Sequence, residues 1–148
     1  MPLQPWYVTG LVELAGTFTF SRTDRNIVPY FALKLGRDEG GLLEAIQDHF
    51  GGIGRIYELR GQGRTRVDTG TPTATRYFRI SRLRDLNVVI SHFDVYPLRG
   101  RKAEAYRIWR ELVTLKRESY RKPDREKLDR ICLELSTAVQ GKSWRARR

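Results

Sequence analysis

Between residues 55 and 79 the chain carries six arginines, Arg55, Arg60, Arg64, Arg66, Arg76 and Arg79, against only Glu58 and Asp68. Guanidinium groups bond phosphate oxygens through two parallel N–H donors and pair with the acceptor edge of guanine, so such a cluster points to nucleic-acid recognition. Other chemistries find less support. No acid-x-Lys triplet occurs anywhere, which removes one common nuclease core, and "GQGRTR" satisfies neither the P-loop nor the dinucleotide-loop spacing. His49 and His92 each precede a phenylalanine inside a helical apolar pattern, where a structural role is the ordinary one although either can titrate. Cys132 falls in a helical apolar stripe and reads as core, and Trp6 and Trp109 read as packing residues.

The whole chain agrees with that emphasis. Its 148 residues carry 28 Lys and Arg against 17 Asp and Glu, a formal net charge of +11, with 40% hydrophobic residues and enough aromatics for one globular domain. A balance this basic favours a polyanionic partner, because neutralising phosphates releases condensed counterions; an overcharged but idle surface is the bland alternative. One cysteine and two histidines make neither an internal disulfide nor a usual structural zinc site. No apolar run reaches 18 residues and "MPLQPWYVTG" lacks the regions of a secretory signal, so the expected location is cytoplasmic, with no membrane partner.

The elements that must position the basic groups follow from periodicity. A first helix is expected from about Pro5 to Gly16, with Val8, Leu11 and Val12 at helical spacing. "TFTFSRT" then alternates, Phe18 and Phe20 on one face and Thr17, Thr19, Ser21 and Thr23 on the other, and "IVPYFALKL" completes a hairpin with Phe31, Leu33 and Leu35 opposed to Tyr30, Ala32 and Lys34. A short helix carries Leu42, Leu43, Ile46 and Phe50. Strands follow at about 53–60 and 75–80, joined by a loop at 61–74, and three helices end the chain before a frayed basic tail at 141–148. Two hairpins joined by a helix predict an α+β layer: one four-stranded antiparallel sheet with helices on a single face, spanning a single domain over 1–140. The other face is left bare. It would present Thr19, Ser21, Thr23, Arg25, Tyr30, Lys34, Arg55, Tyr57, Tyr77 and Arg79, with Arg60, Arg64 and Arg66 on the adjoining loop. Such groups suit phosphate and base-edge contacts, whereas a merely solvated face is the ordinary alternative.

The stretch "YVTGLVELAGTFTFS", Tyr7 to Ser21, resembles the motif that names the LAGLIDADG homing endonucleases, in its single-motif form. Against the nine-letter motif the chain has "VTGLVELAG", in which Gly10, Leu11 and Gly16 match and Val12 and Glu13 are conservative. "LGRDEGGLLEAIQDHFGGIGRI" and "RYFRISRLRDLNVVISHFDVYPLRGRKAEAYRIW" look like the family's later elements, so the resemblance covers roughly residues 5 to 115. It implies an αββαββα fold, a homodimer packed through the motif helices at Gly10, Leu11 and Leu14, and two sheets forming a saddle over duplex DNA with a pseudo-palindromic site. It also implies DNA cleavage linked to intron or intein mobility, with magnesium as cofactor.

At the chemistry the chain departs from the family. The acid before the last motif glycine, which binds magnesium together with the backbone at Gly16, is here Ala15. Glu13 projects about 200° away on the same helix and cannot simply substitute. Leu14 replaces a usually small residue. Arg37 stands at a polar position near the active site, and Arg101 or Lys102 at the basic position that helps the phosphate. The resemblance therefore implies a chain that binds duplex DNA and cuts it very slowly or not at all; a non-cleaving DNA-binding regulator on the same fold and an RNA maturase are the alternatives.

Overall fold

The computed structural model describes residues 2–24, 26–59, 75–119 and 121–140. The expected positions Arg25, Arg60, Arg64 and Arg66, and the tail at 141–148, lie outside the described residues, as does the side chain of Arg37.

The order is α1 (Pro5–Ala15), β1 (Gly16–Thr23), β2 (Asn26–Gly36), a 3-10 turn (Arg37–Glu39), α2 (Leu42–His49), β3 (Arg55–Leu59), β4 (Thr75–Ile80), α3 (Leu83–Val95), α4 (Lys102–Glu118) and α5 (Arg125–Gln140). The αββαββα order and the two hairpins are as expected. Proline opens α1 with no loss of an intrahelical bond. The helix passes into β1 with no loop between them, and this needs Gly16: a Cβ there would lie 2.5 Å from Val12 Cγ1 and 2.9 Å from the Val12 carbonyl. The one-residue difference from the expected helix end therefore has a steric cause.

The four strands form one antiparallel sheet in the order β1-β2-β4-β3, so the two hairpins join through β2 and β4. Registers such as Thr17–Ala32–Arg79–Arg55 and Lys34–Tyr77–Tyr57 run across it. Pro29 lies in the part of β2 that pairs with β1 alone, where one strand edge has no ladder to complete. Strand parity sends Phe18, Phe31, Leu33, Phe78 and Ile80 into the core, and the helices pack on that side.

Phe18 is the hub. Its ring lies 5.2–5.4 Å from those of Phe31, Phe93, Tyr106 and Trp109, mostly tilted or edge-on, as ring quadrupoles favour. Cys132 and Trp109 are core, as expected. Trp6 is not: it is 50% exposed and meets Tyr96 edge-on at 5.3 Å. The reason is helical phase, since Val8, Thr9 and Val12 form the buried side of α1 and Trp6 lies on the other.

The histidines are structural. Thr9 Oγ1 donates to the Tyr96 carbonyl at 2.9 Å and so accepts from His92 Nε2 at 3.0 Å; His92 Nδ1 is then an acceptor for His49 Nε2 at 3.0 Å. This chain of bonds ties α1, α3 and α2 together in their neutral states. Burial, and then the His49 charge, push the His92 imidazole down to about 4, and burial lowers His49 as well.

Candidate nucleic-acid interface

Strand parity alone places Thr17, Thr19, Ser21 and Thr23 of β1, Tyr30, Ala32 and Lys34 of β2, Thr75, Tyr77 and Arg79 of β4, and Arg55 and Tyr57 of β3 on one face. Among the described residues no helix covers that face. The residues expected there by sequence, where described, are all brought together. The Arg79 guanidinium lies 3.9 Å over the Tyr30 ring, and the Tyr57 and Tyr77 rings are 6.1 Å apart. Stacking fixes the plane of Arg79 in advance, with its edge donors still available. Burial, then the Tyr30 charge, raise Tyr77 above the ordinary phenol value, so it stays a neutral donor.

Arg76 leaves the arginine cluster. Two residues before Phe78, it shares the core-facing parity and is tied to Glu44 of α2, with a further bond from Nη1 to the Gly40 carbonyl at 3.2 Å. Its guanidinium holds the Glu44 carboxyl below the usual range. Sequence spacing carried that signal, since Arg76, Phe78 and Ile80 alternate with Tyr77 and Arg79.

At the end of α1 a cavity of about 270 Å³ is lined by Leu14, Ala15, Gly16, Arg101 and Lys102, among others. Lys102 Nζ donates to the Val12 carbonyl at 3.1 Å, a cation set against the negative end of a helix that has no basic residue in its own last turn. Burial, and then the neighbouring Arg101 charge, hold the Lys102 ammonium below the ordinary lysine value. Glu13 points elsewhere: its Oε1 accepts the Gly100 N–H at 2.8 Å and the Arg99 N–H as well, stapling α1 to the turn before α4. It is a positioning group, two residues and half a helical turn from Ala15.

These residues do not fit a magnesium ion. A hard divalent cation needs oxygen ligands, usually with carboxylate charge. The Ala15 methyl offers none, Glu13 is committed to backbone amides, and the remaining charged groups of the cavity are Arg101 and Lys102. Among the described residues no group of three or more His, Cys, Asp or Glu could hold a metal.

The outer side of α1 is apolar. Tyr7 is 51% and Leu14 87% exposed, and a Cβ on Gly10 would meet nothing within 4 Å. Leu11, expected on this side, is partly buried against the core instead. Tyr7, with Gly10 and Leu14 at helical spacing, and Trp6 beside it complete a face that sequence reasoning had only begun to trace. No helix among the described residues is long and apolar enough to cross a membrane.

A family model described as LAGLIDADG endonuclease matches residues 8–113. The chain is 30% identical over 122 residues to an uncharacterized 50.9 kDa protein in ND4 intron 1 of Podospora anserina, covering 76% of this chain and 24% of that protein. The chain thus spans about a quarter of the length of that relative. It is similar, at 25% identity and a TM-score of 0.67, to the LAGLIDADG meganuclease I-CpaMI bound to uncleaved DNA, covering 80% of this chain and 39% of that one. The homing endonuclease I-TnaI shares the fold at 21% identity with a TM-score of 0.74, and there the match covers 93% of this chain and 90% of the other. The fold, the motif helix and the family match together establish that this chain belongs to the LAGLIDADG endonuclease family.

Proposed function

We propose that this chain binds duplex DNA sequence-specifically through the open face of its sheet, as a homodimer, and that Ala15 leaves it unable to cleave at an appreciable rate. The observation that carries the reading is the uncovered face on which Lys34, Arg55 and Arg79 stand among tyrosines and hydroxyls, while the helices pack behind. Long polar side chains on a twisted antiparallel ribbon reach base edges in the major groove, and cations among them meet phosphates. The meganuclease I-CpaMI was captured on DNA, which supports the same partner here.

The dimer is supported by the exposed Trp6, Tyr7, Gly10 and Leu14 of α1, an apolar face that a second copy would cover, with Gly10 allowing close helix approach. The near-complete match in length to I-TnaI fits a chain that supplies one half of a two-sheet saddle. A twofold protein reads a pseudo-palindromic site. The leading reading is an endonuclease scaffold that has lost its metal acid; the second, a regulator on the same fold, is favoured by the alanine itself.

The test compares this chain with its Ala15→Glu variant on duplex DNA, with and without magnesium. Both should bind, and only the variant should cut. Magnesium-dependent nicking by the chain as it stands would overturn the proposed inactivity. Binding by both with cutting by neither would favour the regulator.

A further inference from the structure

A second cavity, of about 560 Å³, opens at the β3 edge of the sheet. Arg55 and Arg79 reach it from the open face, Ser81, Arg82 and Arg84 from the start of α3, and Asp85 is the one acid among the lining residues. Four guanidinium groups against one carboxylate is an unusual concentration, because elsewhere the arginines are paired: Arg76 with Glu44, Arg107 with Glu104 and Arg110 with Asp94. None of the four is in an ion pair with another described residue. Like charges held together without counter-charges repel, so such a group is stable mainly when an anion joins it.

The backbone around the cavity suits an anion as well. Arg82 caps α3 with no side-chain bond to the first turn, so the amides of Leu83, Arg84 and Asp85 lack both an intrahelical and a capping partner. The approach to β3 is made of glycine at positions 52 and 54, which leaves room. Gly54, at φ +79°, lies so close to β4 that a Cβ would fall 2.8 Å from the Arg79 carbonyl. That contact holds Arg55 and Arg79, partners across the β3–β4 ladder, at the mouth of the cavity.

We propose that this pocket grips a backbone phosphodiester of the DNA, carrying the footprint beyond the sheet onto the first turn of α3. The proposal rests on the duplex-DNA reading above. It assigns Ser81, Arg82 and Arg84 to affinity rather than to sequence choice, because phosphates are the same at every base pair. A backbone strand fits better than a free ion, since the cavity is continuous with the open face through Arg55, Tyr57 and Arg79.

The experiment measures duplex binding against salt for the full chain, for the double variant Arg82→Ala/Arg84→Ala, and for a control that removes the same charge from the helix layer, Arg117→Ala/Arg130→Ala. A further variant, Ser81→Glu, places a carboxylate in the pocket, and thermal melting checks that each variant is folded. The pocket variants should bind at least about tenfold more weakly at physiological salt, equally on selected and random duplexes, and the slope of log K against log salt should become shallower by about 2, one lost phosphate contact per arginine. The control should change the slope far less. Pocket variants that match the control in slope and affinity, in a chain that binds DNA, would refute the pocket alone. A chain that binds no duplex in a salt-dependent way would refute the DNA reading and the pocket with it.

Discussion

Lowering the pH through the range in which free histidine titrates should destabilise this fold, and the size of the effect follows from one chain of hydrogen bonds. Thr9 can donate only once, to the Tyr96 carbonyl, and this fixes His92 as the Nε2–H tautomer and His49 as its donor. A proton added to His92 forces His49 to reverse its tautomer and leaves a charge at a site only 9% exposed. The folded state therefore holds His92 neutral down to about 4, whereas the unfolded chain takes the proton near 6.5. Between those values the unfolded state binds more protons, so stability rises with pH there; it is fully present above about 6.5 and is lost as pH falls. The span corresponds to about 3 kcal/mol in total, of which about 2 kcal/mol is gone by about pH 5. That is a large share of the 5–15 kcal/mol typical of a domain. The assay is urea unfolding at a series of pH values, for the chain and for His92→Gln. The carboxylates of Glu44, Glu104 and Asp94 are held low by arginines and contribute only further down, which leaves the window between about 5 and 6.5 to the histidines. The variant should show a flatter profile there. Stability of the unaltered chain that stays level across that window would refute the argument.

Three further outcomes can be checked with the same material. Phe18→Ala removes the ring against which Phe31, Phe93, Tyr106 and Trp109 pack, and should cost about 3–5 kcal/mol in denaturant unfolding. Gly54→Ala places a Cβ at φ +79° against the Arg79 carbonyl and Phe78 ring, and should destabilise by about 1–3 kcal/mol or more, read as a lower melting temperature. Arg79→Ala should relax selection at one base pair per half-site by about 1–3 kcal/mol in competition binding, while Tyr30→Leu, which removes the platform beneath that guanidinium, should relax the same position by less.

Much of this was legible in the chain because strands have a period of two. The alternation of Phe18 and Phe20 with Thr17, Thr19 and Ser21 separates the core face from the open face before any fold is known. Arg76 obeys that same parity, and its removal from the basic cluster follows from position although its charge suggests otherwise. What the chain conceals is long-range. The joining of the hairpins through β2 and β4, the Thr9–His92–His49 contacts between residues 43 and 83 positions apart, and the Glu13 bonds to amides 86 and 87 positions away depend on tertiary approach, which no local pattern encodes. Trp6 illustrates an intermediate case: its exposure follows from helical phase once Val8, Thr9 and Val12 are known to face inward. Arg82 and Arg84 lie just past the arginine cluster in sequence, and only the fold brings them to the same cavity as Arg55 and Arg79.

The central claim, that a pair of these sheets reads duplex DNA, is tested most directly by selecting binding sites for the unaltered chain from randomised duplexes and sequencing what is retained. The account predicts enrichment of a single pseudo-palindromic sequence, whose two halves both lose definition when Arg79 is replaced. Retention of no preferred duplex, or of a sequence indifferent to Arg79, would contradict it.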